Sequence, residues 1–172
     1  MRYVTLICLV LCALLTGCSA LPYAHQIDKT VLMEVLGVDA GVGETVTVTA
    51  ASGARSGDQE PLVLSAQAGT ISAACADMGE RGEDFVFFGD VEQVLVGEEE
   101  AQRGLESLLG HMARDPELRL EAELWVVKGT EAAQLLLEAG EGESLPERLS
   151  AMSRNAELLG GPRPQMARGA LT

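Results

Sequence analysis

The chain has 172 residues, which suits one domain plus a targeting segment. Hydrophobic residues make up 47% and aromatics only 3%, so a core must be built mostly from Leu, Val and Ala. A formal net charge of −14 repels phosphate backbones, which argues against nucleic acid as a partner, and it repels anionic lipid headgroups as well.

Membrane association therefore needs a separate source, and the N-terminus supplies one. Arg2 is a short positive n-region and Tyr3 to Leu15 is an uncharged, mostly apolar h-region. It is too short to span a bilayer comfortably. It ends in Leu15-Thr16-Gly17-Cys18, which resembles the bacterial lipobox. There the cysteine sulfur takes a diacylglycerol thioether, and the signal peptide is then cut away before it. The competing reading is an ordinary secretory signal cut after Ala20. Lipidation is preferred because the four-residue pattern closes the apolar run. Removal of 1–17 takes Cys8 and Cys12 with it, and acylation uses Cys18, so Cys75 is left without a disulfide partner. Two or three acyl chains on Cys18 would anchor the protein stably where one would not.

Residues 18–29 read as a tether, and 30–160 as the folded domain. Val31 to Val38 is nearly continuous apolar and predicts a buried strand. Asp39 to Glu44 is a turn; its Gly41-Val42-Gly43 precedes a strand and so is no nucleotide loop. Thr45 to Ala51 alternates β-branched residues and predicts a second strand, paired with the first as a hairpin. Leu62 to Ala66 predicts a short edge strand. Thr70 predicts an N-cap for a helix with the stripe Ile71, Ala74, Cys75 and Met78, which ends in a polar break over Gly79 to Asp84. Phe85-Val86-Phe87-Phe88 holds all the phenylalanines and, with Trp125, is expected to form the densest part of the core.

The stretch from Asp90 to Lys128 organises the rest. Val91, Val94, Leu95 and Val96 predict a buried strand that Gly97 ends. Glu98, Glu99 and Glu100 then open a helix at its positive dipole end. Ala101, Leu105, Leu108, Leu109 and Met112 recur at helical spacing, and Pro116 closes the helix at Arg114-Asp115. The period then switches to two. Leu118, Leu120, Ala122, Leu124 and Val126 predict the inner face of a half-buried strand. A strand, helix and strand of this length suit a crossover onto one sheet. Beyond it, Thr130 predicts a cap for a helix to Ala139. Ser144 and Glu147 form a capping box for a helix with the stripe Leu149, Met152, Ala156 and Leu159. Residues 161–172 read as a flexible tail. The expected fold class is α+β (mixed α/β): a mixed sheet with packed helices.

The same central stretch resembles the N-terminal domain of the Ger(x)C family, the C-subunit lipoproteins of bacterial spore germination receptors. The resemblance is carried by Gly97-Glu98, Ala101, Gly104, Arg114-Asp115-Pro116-Glu117, Arg119 and Lys128-Gly129, and more loosely by Leu36-Gly37-Val38-Asp39. The family's tryptophan and charged pair after the lipid cysteine are replaced by Ser19-Ala20-Leu21-Pro22, and family members usually continue into two further domains. The resemblance implies a lipid-anchored subunit on the outer face of the cytoplasmic membrane (the spore inner membrane). Its implied partners are the integral-membrane A and B subunits, and its role is nutrient-triggered germination. The motif residues would then be structural or partner-contacting.

Catalytic chemistry is hard to find. His25 and His111 have no Cys, His or carboxylate at metal-ligand spacing, so no zinc site and no cofactor beyond the acyl group is expected. No Gly-x-Ser-x-Gly elbow exists. Glu98 to Glu100 read as helix capping, and Arg114 to Arg119 as a corner whose charges pair locally. Two other functions remain open. A solute-binding lipoprotein needs a concave pocket with convergent polar groups. A secreted hydrolase needs Ser, His and Asp gathered at one place.

Overall fold

The computed structural model describes residues 29–53, 61–82, 84–139, 145–159 and 165–170. The strands in chain order are β1 (Thr30–Ala40), β2 (Val46–Ser52), β3 (Val63–Ala68), β4 (Phe85–Phe87), β5 (Gln93–Gly97), β6 (Glu123–Val127) and β7 (Gln165–Met166). The helices are α1 (Ile71–Arg81), α2 (Glu98–Arg103), α3 (Glu106–Arg114), α4 (Ala132–Ala139), α5 (Leu145–Leu159) and α6 (Ala167–Ala170). The sheet order is β3-β2-β1-β5-β6-β7, with β4 paired to the start of β1. β1, β5 and β6 run parallel; β2, β3 and β7 run antiparallel to their neighbours. This is the expected α+β class with a mixed sheet, and the β1–β2 hairpin and the β5-to-β6 crossover are both present.

Helices cover both faces, so the central strands are buried on both sides and carry near-continuous apolar runs. All of β5 is buried. On one face Met33, Leu36, Val38, Val48, Val94 and Val96 meet α1 and α3 through Ile71, Met78, Leu108 and Met112. On the other, Val35, Leu95 and Val127 meet α4 and α5 through Ala132, Leu136 and Leu149. β1 serves both faces by alternation, with a β-bulge between Met33 and Val35. The extra residue shifts the alternation by one, so Met33 and Leu36 share a face.

Several expectations are corrected. The helix expected from Glu98 to Arg114 is two, because Gly104 leaves the helical region with φ +114 and the second helix restarts at Glu106. The strand expected from Leu118 starts only at Glu123. The neighbour β5 begins at Gln93, which pairs Glu123, so Leu118 to Ala122 has no ladder to join and forms a turn with Leu118 and Ala122 tucked inward. Val127 rather than Val126 is buried.

The aromatic cluster is not the densest core. Phe85 is exposed, Phe88 packs on the larger cluster, and Trp125 sits on the opposite face in the smaller one. β4 pairs only with Thr30 to Leu32, where the sheet projects past its main body. The largest fully buried side chains are instead Met33, Leu36, Ile71, Met78, Leu95 and Met112. α1 runs three residues into the expected polar break, helped by an Arg81–Asp77 ion pair one turn apart.

At the C-terminal side, Met152 is exposed although its stripe partner Leu149 is buried. Residues 165–170 are no frayed tail: β7 pairs β6, the Ala167 amide donates to the Ala122 carbonyl at 3.0 Å, and Ala167 is fully buried. Without β7 the outer edge of β6 would be open over Glu123 and Leu124. The signal segment, the tether to Asp28, Ser144 of the capping box and Gly160 to Pro162 lie outside the described residues.

Two glycines are expected to respond oppositely to alanine. Gly104→Ala places a Cβ in a backbone region that is essentially glycine-only and should cost about 1–3 kcal/mol in chemical denaturation. Gly79→Ala, inside α1 with open space around it, should stabilise by about 0.5–1 kcal/mol.

Candidate functional site

β1 ends in a carboxylate that is buried to 3% exposure. Asp39 accepts hydrogen bonds from the amides of Ala132 and Ala133, each at 2.8 Å. These are orphan donors of the first turn of α4, and the negative charge faces the positive dipole end. The expected cap Thr130 does not do this; its hydroxyl donates to Gln134 Oε1 at 2.7 Å. A strand 93 residues away in sequence therefore caps the helix.

Two glycines make room for the contact. A Cβ on Gly97 would lie 2.2 Å from Asp39 Oδ1, and one on Gly37 would lie 2.8 Å from Leu136 Cδ1 and 3.2 Å from Ala132 Cβ. Gly129, at φ +78, turns the chain from β6 toward α4. Gly37, Asp39, Gly97 and Gly129 thus converge where the parallel strands end. A cleft of about 330 Å³ opens there, lined by carboxylates of Asp39, Glu98, Glu99 and Glu131 and by no basic side chain.

The remaining motif residues sit elsewhere. Ala101 packs half-buried on the core, Gly104 breaks the helix, and Lys128 is exposed. Asp115 ends α3 and accepts from the Glu117 amide at 2.9 Å, and the turn carries Pro116 outward. Arg119 does not pair within this corner; it reaches Glu92 before β5, at 3.9 Å. So the motif divides between the two ends of the parallel strands. Glu92, Arg119, Glu123 and Ser153 line a second cleft, of about 340 Å³. Glu123 Oε1 accepts from the Ser153 hydroxyl at 2.6 Å, and its Oε2 is buried without a partner. This cleft has convergent polar groups, but Val91 and Ala122 are its only apolar lining residues, unlike the mostly apolar sites that hold small solutes.

Ser72, His111 and Asp115 do come together, which sequence could not foresee. His111 is buried. Its Nδ1 lies 2.9 Å from Ser72 Oγ, and its Nε2 is 3.8 Å from Asp115 Oδ2, beyond hydrogen-bond range. A hydrolytic base is held by a hydrogen bond on its second nitrogen. Here Nε2 is buried with no such partner, and none of the clefts described reaches Ser72. The cluster ties α1 to α3. Cys75 beside it is half-buried, and burial, with Asp115 adding, pushes its thiol up to about 12, which keeps it inert.

The scan against family models matches the spore germination protein N-terminal domain over residues 24–166, most of the chain. The chain belongs to that family. No curated protein and no solved structure matches it. The Ger(x)C resemblance read from Gly97 to Gly129 is thereby borne out, and this is a spore germination protein domain. The match begins six residues after Cys18; the lipobox itself, Leu15 to Cys18, lies outside the described residues.

Asp39→Ala leaves two amides without their buried partner and should cost roughly 2–4 kcal/mol in urea or guanidinium unfolding. Gly97→Ala displaces the same carboxylate, so the double variant should lose far less than the sum of the singles, which a double-mutant cycle reads directly.

A pH titration separates a second group. Burial, with Arg114 adding and Asp115 opposing, holds the His111 imidazole below its ordinary 6.5, so the fold favours the neutral ring. That contribution is complete above pH 6.5 and is lost as pH falls through the lowered folded value. Glu34 acts in the opposite sense: burial, then Asp90, Glu92 and Glu147, raise its carboxyl above 4.5, so its penalty is relieved on acidification. His111→Gln should flatten the part of the stability loss that sets in just below pH 6.5, read by denaturant unfolding across pH.

Proposed function

We propose that the protein is a membrane-anchored lipoprotein subunit of a spore germinant receptor, acting by tethering and protein contact rather than by catalysis. The observation that carries this reading is the family match over 24–166 directly behind a lipobox ending at Cys18. Among the described residues no helix is long and apolar enough to cross a membrane, so a covalent diacylglycerol on Cys18 is the natural means of attachment. The partners are the integral-membrane A and B subunits.

Anchoring changes what the surface must achieve. From Cys18 to Thr30 the chain extends at most about 40 Å. Held that close to the membrane, a docking surface meets membrane partners at an effective concentration on the order of millimolar, so modest intrinsic affinity suffices. The acidic surface suits contact with proteins better than with anionic lipid. The solute-binding reading finds convergent polar groups in one cleft but almost no apolar lining. The hydrolase reading finds Ser72, His111 and Asp115 gathered, but with His111 Nε2 unpartnered and none of the described clefts at Ser72, so neither reading is favoured.

Mass spectrometry of the native protein should find the mature chain starting at Cys18 and carrying diacylglycerol. Cys18→Ala should release the protein from the membrane fraction and abolish co-purification with spore membrane proteins. An unacylated chain, or one starting elsewhere, would sink the proposal.

A further inference from the structure

The longest helix among the described residues is also the one held least. α5 has 15 residues, yet over 145–155 it buries only Leu149, and Met152 is 55% exposed. α1, with 11 residues, buries Ile71, Ala74 and Met78, and α3, with 9, buries Leu108, Leu109, His111 and Met112. Leu145 and Leu149 of α5 lie on the smaller core cluster with Trp125 and Val127 of β6. Glu123 stands on that same face of β6, two residues before Trp125, and its Oε1 accepts from the Ser153 hydroxyl at 2.6 Å.

Two features set α5 against the surface it covers. Glu123 Oε2 is buried with no hydrogen-bond partner. A carboxylate oxygen taken from water without a replacement donor carries a desolvation penalty, which undocking relieves. Arg119 and Arg154 line the same cleft, with Glu92 and Glu121, but neither bonds that oxygen, and Arg119 reaches Glu92 at 3.9 Å instead. Near the start of the helix, Glu147 stands with Asp90 and Glu92 around the half-buried Glu34, so like charges meet across the contact.

We propose that α5 is a releasable cover, which lifts from β6 as a unit while the rest of the fold stays intact, and that Glu123 is the group that keeps its docking weak. Opening exposes the apolar face that carries Trp125 and Val127. Elements with few buried apolar side chains open at a free energy well below that of global unfolding, which is what a moving part requires. The proposal concerns the folded domain and stands apart from acylation at Cys18.

Hydrogen exchange by mass spectrometry on the full chain near pH 7 tests this, with acrylamide quenching of Trp125, the single tryptophan. The expected result is exchange in α5 roughly ten-fold or more faster than in α1 and α3. Glu123→Gln keeps an acceptor for Ser153 and removes the charge, so it should slow exchange in α5 several-fold and lower Trp125 quenching, with α1 and α3 unchanged. Exchange in α5 no faster than in α1 and α3, or no slowing of α5 in Glu123→Gln, overturns the proposal. Should Glu123→Gln loosen α1 and α3 as well, Ser153→Ala decides. Faster exchange confined to α5 then supports the cover, and unchanged exchange there overturns it.

Discussion

One buried carboxylate joins the end of β1 to the start of α4. Asp39 closes β1 and at the same time accepts from two of the free amides at the start of α4. A charge taken this far from water is tolerated only where donors and a favourable dipole replace its hydration. The neighbours are adapted to it. Gly97 leaves space for the carboxylate, Gly37 lets α4 approach the sheet, and Gly129 turns the chain between β6 and α4. Residues that look like scattered motif letters in the sequence are thus parts of one packing arrangement.

Other side chains with reactive potential among the described residues are also held by packing. Asp39 caps a helix, Ser72 and His111 tie α1 to α3, and the Cys75 thiol is suppressed by burial. Among the described residues the surface also carries exposed apolar side chains, Leu32, Val42, Phe85, Val126 and Leu137 among them. The two clefts at the ends of the parallel strands are lined mostly by polar side chains.

The long strands and one helix were legible because their signals are local and redundant. β1, β2 and β5 carry apolar or alternating runs, and Thr70 caps α1 through the Ala73 amide as its sequence position suggests. Errors arose where one pattern fits two conformations. Leu118 and Ala122 point inward from a turn as well as from a strand, and the apolar stripe across Gly104 continues through a break in the helix. Aromatic clustering around Phe85 failed as a core signal because burial depends on what covers a strand, and little covers β4.

Sequence alone determined the family, the mixed sheet and the shape of its central crossover, because glycines, proline and apolar periodicity act within a few residues of one another. It also marked Cys18 as the expected anchor. Only the tertiary structure decided that Asp39 rather than Thr130 caps α4, that residues 165–170 join the sheet, and that Ser72 meets His111. Each of those contacts joins segments tens of residues apart. Their partners are chosen by how the helices pack on the sheet, and no local pattern records that choice.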